Sequence, residues 1–425
     1  MDVAILFGTF VFGLVIGIPV AATLGLSSLA YLLASGIPIV VMPQKMYAGM
    51  DVFVLLSIPG FILAGNLMNR GGITERVIRF ANALVGWVRG GLGLTNIAAS
   101  MLFGGITGTA VADAASIGSV LIPGMKKSGY PADFSAAVTA ASSTVGPIIP
   151  PSVPMIIVGS LSGISVGKMF LAGAIPGILM GCAMMVTAYL ISVRKGFPKQ
   201  EWQGFREVGR SFGNAIWALA MTGLIIYGLL SGLATPTETA IIASVYAAVV
   251  GLLVYRELPL SALPKILVDS AVSSAAILVL VGFANVFGWI LVSERIPQAL
   301  ANAVLSLTDN KYLIILFINI LLLFIGMFME TIAALIILFV PLLSLAQAVG
   351  IEPLHFATFA VLNLMIGLTT PPIGVCLFVC SNIAKLPLGQ VVRAIIPFLV
   401  TNIMVLLAVS YIPGIATWLP SLLEN

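Results

Sequence analysis

The sequence predicts an all-α polytopic membrane protein made of two inverted repeats, each containing a re-entrant helical hairpin and a broken helix. Three observations lead there: an extreme apolar composition, apolar blocks long enough to cross a bilayer, and a proline-broken segment that recurs at a fixed spacing. Of 425 residues, 60% are hydrophobic and 8% charged, against about 25% charged in a soluble domain. So little charge cannot cover a water-facing surface, and the bilayer is the solvent for most of the chain.

Gly, Pro and charge punctuate apolar blocks at 3–35, 52–68, 92–123, 134–166, 170–193, 213–231, 235–254, 268–292, 313–346, 355–384 and 389–417. About 20 apolar residues cross the hydrocarbon core. Block 3–35 contains Gly17-Ile18-Pro19 and reads either as one long tilted helix or as two short ones. Its start has no basic n-region or small-residue cleavage site, so Val3 onward is expected to stay as a membrane segment. Residues 71–89 carry Ile73, Val77, Leu84 and Val88 on one helical face and Glu75, Arg79 and Asn82 on another. That pattern suits a helix lying in the interface, with Ser293 to Leu307 as a second. Blocks 92–123 and 313–346 are interrupted by Gly104–Gly108 and Gly326, so each can enter and leave by one face as a hairpin. Blocks 134–166 and 355–384 are broken by Pro pairs, where the missing amide and the ring clash end a helix.

The repeat shows at these breaks. Gly146-Pro147-Ile148-Ile149-Pro150-Pro151 matches Gly367-Leu368-Thr369-Thr370-Pro371-Pro372 at an offset of 221 (367 − 146), which also pairs Ser160 with Ser381 and Pro176 with Pro397. An offset of 218 pairs Gly108 with Gly326 and Pro123 with Pro341, setting Ala112 opposite Glu330 and Asp113 opposite Thr331. Positive charge orients the copies. Arg70, Arg76, Arg79 and Arg89 precede the first hairpin and Lys126 and Lys127 follow it, so it is expected to open toward the cytoplasm. The second has only Arg295 and Lys311 before it and no basic residue between Ala346 and Lys385, which favours the opposite face.

Composition also limits chemistry. Arg194, Lys195, Lys199, Arg206 and Arg210 crowd one loop, read as cytoplasmic; Trp202 and Phe205 lie among them, but no nucleic-acid-binding motif accompanies them. Cys182, Cys376 and Cys380 sit in apolar segments and read as small buried hydrophobes. With His355 the only histidine and no glycine-rich phosphate loop, neither a catalytic dyad nor ATP hydrolysis is expected of this chain. Energy must then come from an ion gradient or another subunit.

Non-helical turns survive at membrane depth only inside protein or beside a water-filled cavity, so the paired breaks are a site signal. Unwound carbonyls there can hold a hard cation such as Na⁺. Thr107, Ser142, Ser143, Thr144, Gly146, Ile149 and Pro151 supply hydroxyl and carbonyl oxygens in the first copy, and Gly326, Gly367, Thr369, Thr370 and Ile373 in the second. The competing reading makes the prolines packing kinks and the glycines close helix contacts. Asp113 and Glu330 are the carboxylates deep in the hairpin blocks, and an intramembrane acid marks a function by default. Each would bind solute or serve as a helix cap. With Thr109 and Arg295 they form the candidate substrate set, although Arg295 could instead pair with Glu294.

The segments Gly104-Gly105-Ile106-Thr107-Gly108-Thr109-Ala110-Val111-Ala112-Asp113, Gly146 to Pro151 and Ala234-Thr235-Pro236-Thr237-Glu238-Thr239 together resemble the large membrane subunit, DctM type, of TRAP (tripartite ATP-independent periplasmic) transporters. The likeness runs over essentially the whole chain. It implies a sodium-coupled importer of organic acids in a bacterial inner membrane. The implied partners are a separate four-helix small membrane subunit and a periplasmic substrate-binding protein. It also implies an elevator mechanism: residues 1–91 and 213–312 as scaffold spans with arm helices, 92–193 and 313–425 as halves of a moving transport domain, and 194–212 as a cytoplasmic loop. Carried over by position, the resemblance implies one sodium site at Thr107, Gly146, Ile149 and Pro151 and another at Gly326, Gly367, Thr370 and Ile373. Sialic acid, then C4-dicarboxylates, are the expected solutes. Rival readings are an elevator-type carrier that needs no binding protein, and a channel or intramembrane enzyme using Asp113 and Glu330.

Overall fold

The computed structural model describes residues 2–422, apart from the side chains of residues 105–107. The described residues form twenty α-helices, joined by turns and a few short 3-10 and π segments. In the first half these are α1 (Asp2–Ile16), α2 (Val20–Ala34), α3 (Val41–Met50), α4 (Ser57–Arg70), α5 (Ile73–Val85), α6 (Gly91–Thr107), α7 (Ala110–Lys127), α8 (Ala132–Ser143), α9 (Val153–Ser162) and α10 (Val166–Lys195). The second half continues with α11 (Gly204–Leu230), α12 (Pro236–Val249), α13 (Leu263–Ser293), α14 (Ile296–Leu305), α15 (Lys311–Gly326), α16 (Thr331–Ala348), α17 (Pro353–Gly367), α18 (Val375–Ala384), α19 (Leu388–Tyr411) and α20 (Gly414–Ser421). Among the described residues, seven helices are long and apolar enough to cross a membrane, or eight if the bent pair α8 and α9 counts as one span. The chain is a multi-pass, all-helical membrane protein.

Block 3–35 is two helices, because Pro19 cannot donate into a continuing helix and instead caps α2. Helix α3 went unread in the sequence: Pro43, Gln44 and Lys45 dilute its apolar run. The 194–212 segment is shorter as a loop than its charges suggest. Arg194 and Lys195 end α10, and α11 already begins at Gly204, so Arg206 and Arg210 ride on helix. In α5 the buried face is Ile73, Val77, Phe80 and Ala81, and Leu84 is exposed. Packing by α6 and α11 on that side rotates the face away from Leu84. Cys376 and Cys380 are buried, but Cys182 is exposed on α10, on a side no neighbouring helix covers.

The internal repeat is regular. Helices α7 and α16 are both 18 residues long and start 221 positions apart (331 − 110). Helices α9 and α18 are both 10 residues long and start 222 apart (375 − 153). Helices α5 and α14 start 223 apart (296 − 73). One spacing near 221 thus runs through each copy, and the offset of 218 is overturned: it aligned isolated Gly and Pro residues three positions out of step. In the corrected register Thr109, which caps α7, stands with Glu330, which caps α16 (330 − 109 = 221).

Two groups of helices pack together. Helices α2, α3, α4, α12 and α13 form one, with α4 lying along α12. The hairpins α6–α7 and α15–α16 pack with the broken pairs α8–α9 and α17–α18 in the other. The pair α8 and α9 is bent by 41° at its break. Pro150–Pro151 and Pro371–Pro372 are both cis.

Candidate functional site

Each hairpin crosses its own broken helix at a pair of glycines. A methyl group on Gly104 would lie 1.9 Å from the Gly146 Cα, and one on Gly367 would lie 2.6 Å from the Gly326 Cα. Backbones approach this closely in membranes where small residues line the contact, since packing rather than the hydrophobic effect drives association there. The contact brings the C-terminal end of α6 to the break after α8, and that of α15 to the break after α17.

One to two turns along each crossing lies buried polar glue. Asn96 Nδ2 donates to Thr139 Oγ1 (2.6 Å), Ser142 Oγ to Asn96 Oδ1 (3.1 Å) and Ser100 Oγ to Ser142 Oγ (3.0 Å). In the second copy Asn363 Nδ2 donates to Asn319 Oδ1 (2.8 Å) and Asn319 Nδ2 to Ser410 Oγ (3.1 Å). Sequence reasoning singled out Ser142 among them, as an oxygen donor at the break, and passed over the others. Polar side chains at single turns of otherwise apolar helices were the available signal.

At the breaks the hydroxyls point their protons backward. Ser143 and Thr144 donate to the carbonyls of Ala140 (2.8 Å) and Ala141 (2.7 Å), and Thr369 and Thr370 both donate to Ile366 (2.9 and 2.8 Å). A hydroxyl that has given its proton to its own helix keeps its lone pairs for another electropositive group. Gly146, Pro151, Gly326, Gly367 and Thr370 are buried, Ile149 is partly buried and Ile373 is exposed. Ile149 also packs against α10, where a methyl on Gly177 would meet its Cγ1 at 2.6 Å. Thr107 ends α6 beside these groups, but its side chain lies outside the described residues. Carbonyl and hydroxyl oxygens at a helix break are a donor set that suits a hard monovalent cation.

The two hairpin acids differ in setting. Asp113 is wholly buried in the first turn of α7, and its carboxylate lies beside the Ser100 hydroxyl, which is turned to donate to Ser142 instead. Its carboxylate faces the first break: a methyl on Gly146 would lie 3.7 Å from Asp113 Oδ2. Glu330 is exposed, and its Oε2 accepts from the amides of Ile332 (2.8 Å) and Ala333 (3.3 Å), capping α16. Thr109 caps α7 in the same way, accepting from Ala112 at 3.4 Å. Arg295 is exposed with φ of 56° ahead of α14. It does not pair with Glu294, whose carboxylate instead accepts from the Tyr31 hydroxyl.

The Thr235 to Thr239 motif has a structural role. Glu238 Oε2 accepts from Thr235 N (2.8 Å) while Thr235 accepts from Glu238 N, a reciprocal cap at the start of α12. Thr237 then ties α12 to the Phe53 carbonyl at 2.9 Å. Outside the spans, Arg76 on α5 pairs with Glu257 at 2.7 Å and stacks on the Tyr255 ring at 4.0 Å. The Glu257 carboxylate raises the Arg76 guanidinium above its ordinary range.

A family model described as "Tripartite ATP-independent periplasmic transporter, DctM component" matches residues 7–415. The sialic acid TRAP transporter large permease protein SiaM of Vibrio cholerae is 42% identical over 407 residues, covering 96% of this chain and 95% of that protein. The C4-dicarboxylate TRAP transporter large permease protein DctM of Pseudomonas aeruginosa is 39% identical over 400 residues, 94% of each chain. Among solved structures, the Alcanivorax borkumensis YdaH transporter superposes with a TM-score of 0.65 at 16% identity, covering 96% of this chain and 98% of that one, a likeness of fold alone. These relatives are transporter permeases rather than enzymes. Matched along almost its whole length, the chain belongs to the DctM component family of tripartite ATP-independent periplasmic transporters.

Proposed function

We propose that this chain is the large subunit of a sodium-coupled importer of an organic acid in a bacterial inner membrane. It works with a small membrane subunit and with a periplasmic protein that delivers the solute. The observation that carries the reading is the repeated glycine crossing, Gly104 on Gly146 and Gly326 on Gly367, which brings a hairpin end to an unwound break in each copy. At each, backbone and hydroxyl oxygens hold one sodium ion: Thr107, Gly146, Ile149 and Pro151 in the first copy, Gly326, Gly367, Thr370 and Ile373 in the second. The positive charge offsets the solute carboxylate and the buried Asp113.

The hairpins and broken helices move as one transport body against the group containing α4, α12 and α13, an elevator motion. Thr109, Asp113, Glu330 and Arg295 border the solute near the hairpin tips. A sugar acid of the sialic acid kind is the first solute to test, given the SiaM relative; C4-dicarboxylates come next.

The test is reconstitution with the small subunit and binding protein in liposomes, with an imposed inward sodium gradient and labelled sialic acid or succinate outside. Gradient-driven uptake that stops without the binding protein is expected. Uptake that persists without it would select the independent-carrier reading, and uptake that ignores the sodium gradient would remove the coupling.

A further inference from the structure

The corrected register reveals two clefts at matching places in the two copies. One lies between the C-terminal end of α4, the start of α5 and the outer face of α7; the other lies between the end of α13, α14 and α16 and is walled in addition by α3 and α9, through Gly49, Ile157 and Ser160. Their volumes are comparable, 480 and 390 Å³, within the size range of small-molecule sites. Their linings are not alike. Thr74, Ser116 and Ser119 in the first stand where Pro297, Ile337 and Val340 stand in the second. The repeat requires a cleft at this place but does not require it to be polar.

The polar cleft has the parts of an anion site. Arg70 is exposed in its wall, with no ion-pair partner among the described residues. Asn69 is fixed by two bonds, donating to Ser116 Oγ (2.9 Å) and accepting from Thr74 Oγ1 (3.0 Å), so the wall is held across the gap between α4 and α7. Ser119 is exposed and donates to the Ser116 carbonyl at 2.8 Å, leaving its lone pairs toward the cleft. Glu75 adds an acceptor for hydroxyl protons, while Glu257 is already engaged by Arg76. Thr109, Ser116 and Ser119 fall at helical spacing on one side of α7, and at about 1.5 Å per residue the cleft lies roughly 10–15 Å from the hairpin tip.

We propose that this cleft is a second solute station, binding a hydroxylated carboxylic acid with its carboxylate on Arg70 and its hydroxyls on Ser119 and Glu75. It lies between the hairpin tip and the end of the hairpin that carries Lys126 and Lys127. The proposal rests on the transport reading above and adds the solute class to it. A plain dicarboxylate would meet one cation and leave Glu75 and the hydroxyls without partners, whereas a sugar acid would satisfy both kinds of group.

The experiment uses the complex of large and small subunits in detergent, so that both faces are accessible, with Val120→Cys, exposed in the same cleft wall and given no bond to the solute, placed in a Cys182→Ser background. The rate of reaction with a maleimide is measured with and without sialic acid or succinate. Sialic acid at about four times its Kd is expected to slow labelling about fivefold, succinate is expected not to, and adding Arg70→Gln is expected to abolish the protection. Equal protection by succinate would overturn the solute class. No protection, from a preparation that still imports sialic acid in liposomes, would overturn the station while leaving the transport reading intact. Failure to import any organic acid with both partners present would overturn the transport reading and the station with it.

Discussion

Gly104 meets Gly146 backbone to backbone, with no room between them for a single side-chain carbon. The residues are 42 positions apart (146 − 104), and their contact presses the end of one helix into the break of another. Gly104→Ala is therefore expected to force the two segments apart, at about 1–3 kcal/mol by overpacking. Gly124→Ala on α7, where an added methyl meets nothing within 4 Å, should be neutral or stabilising by about 0.5–1 kcal/mol. Thermal unfolding of the two purified variants checks this. Equal melting temperatures would mean the crossing relaxes freely.

Removing the Thr370 hydroxyl tests the proposed second sodium site. Thr370→Val loses the bond to Ile366 and one oxygen facing the break but keeps the carbonyls. The sodium concentration for half-maximal uptake is expected to rise about fivefold, corresponding to about 1 kcal/mol, with little change in melting temperature. Thr107→Val is the companion for the first site. Unchanged sodium dependence in both variants would locate the ions elsewhere.

Asp113 is buried with the neighbouring Ser100 hydroxyl turned to Ser142, so a purely structural role predicts that neutralising it costs nothing in transport. The proposed role predicts the reverse. Asp113→Asn should melt at or above the parental temperature, because an amide is cheaper to bury than a carboxylate. Uptake should nevertheless fall by about tenfold or more, about 1.4 kcal/mol in the barrier. Parental uptake rates would reject the assignment.

Glu330 separates capping from solute binding. Glu330→Gln keeps an oxygen for the amides of Ile332 and Ala333, whereas Glu330→Ala leaves them bare and is expected to cost about 1 kcal/mol of stability. If Glu330 also borders the solute, Glu330→Gln slows uptake while keeping its melting temperature. A Gln variant that transports normally beside an Ala variant that is only less stable would leave Glu330 a cap.

Inverted copies place the open ends of the two hairpins on opposite faces. Ser128 follows α7 and Gln347 lies in the last turn of α16, and both are exposed. In a Cys182→Ser background, Ser128→Cys and Gln347→Cys are expected to react with an impermeant maleimide from opposite sides of sealed vesicles. Labelling of both from the same side would refute inversion.

The sequence alone determined the solvent, the approximate spans, the two broken segments and their repetition, because apolar runs, proline and glycine act within a few residues of where they stand. Tertiary structure decided what local pattern could not. The true register of 221 set Thr109, not Ala112, opposite Glu330, since helix ends are fixed by caps and packing rather than by isolated Gly and Pro matches. Asp113 and Glu330 look alike in sequence, yet one turns into the helix packing and the other caps a helix at the surface. The same holds for the two clefts, whose walls join residues as far apart as Asn69 and Ser116, a pairing that only the packing of α4 against the outer face of α7 creates.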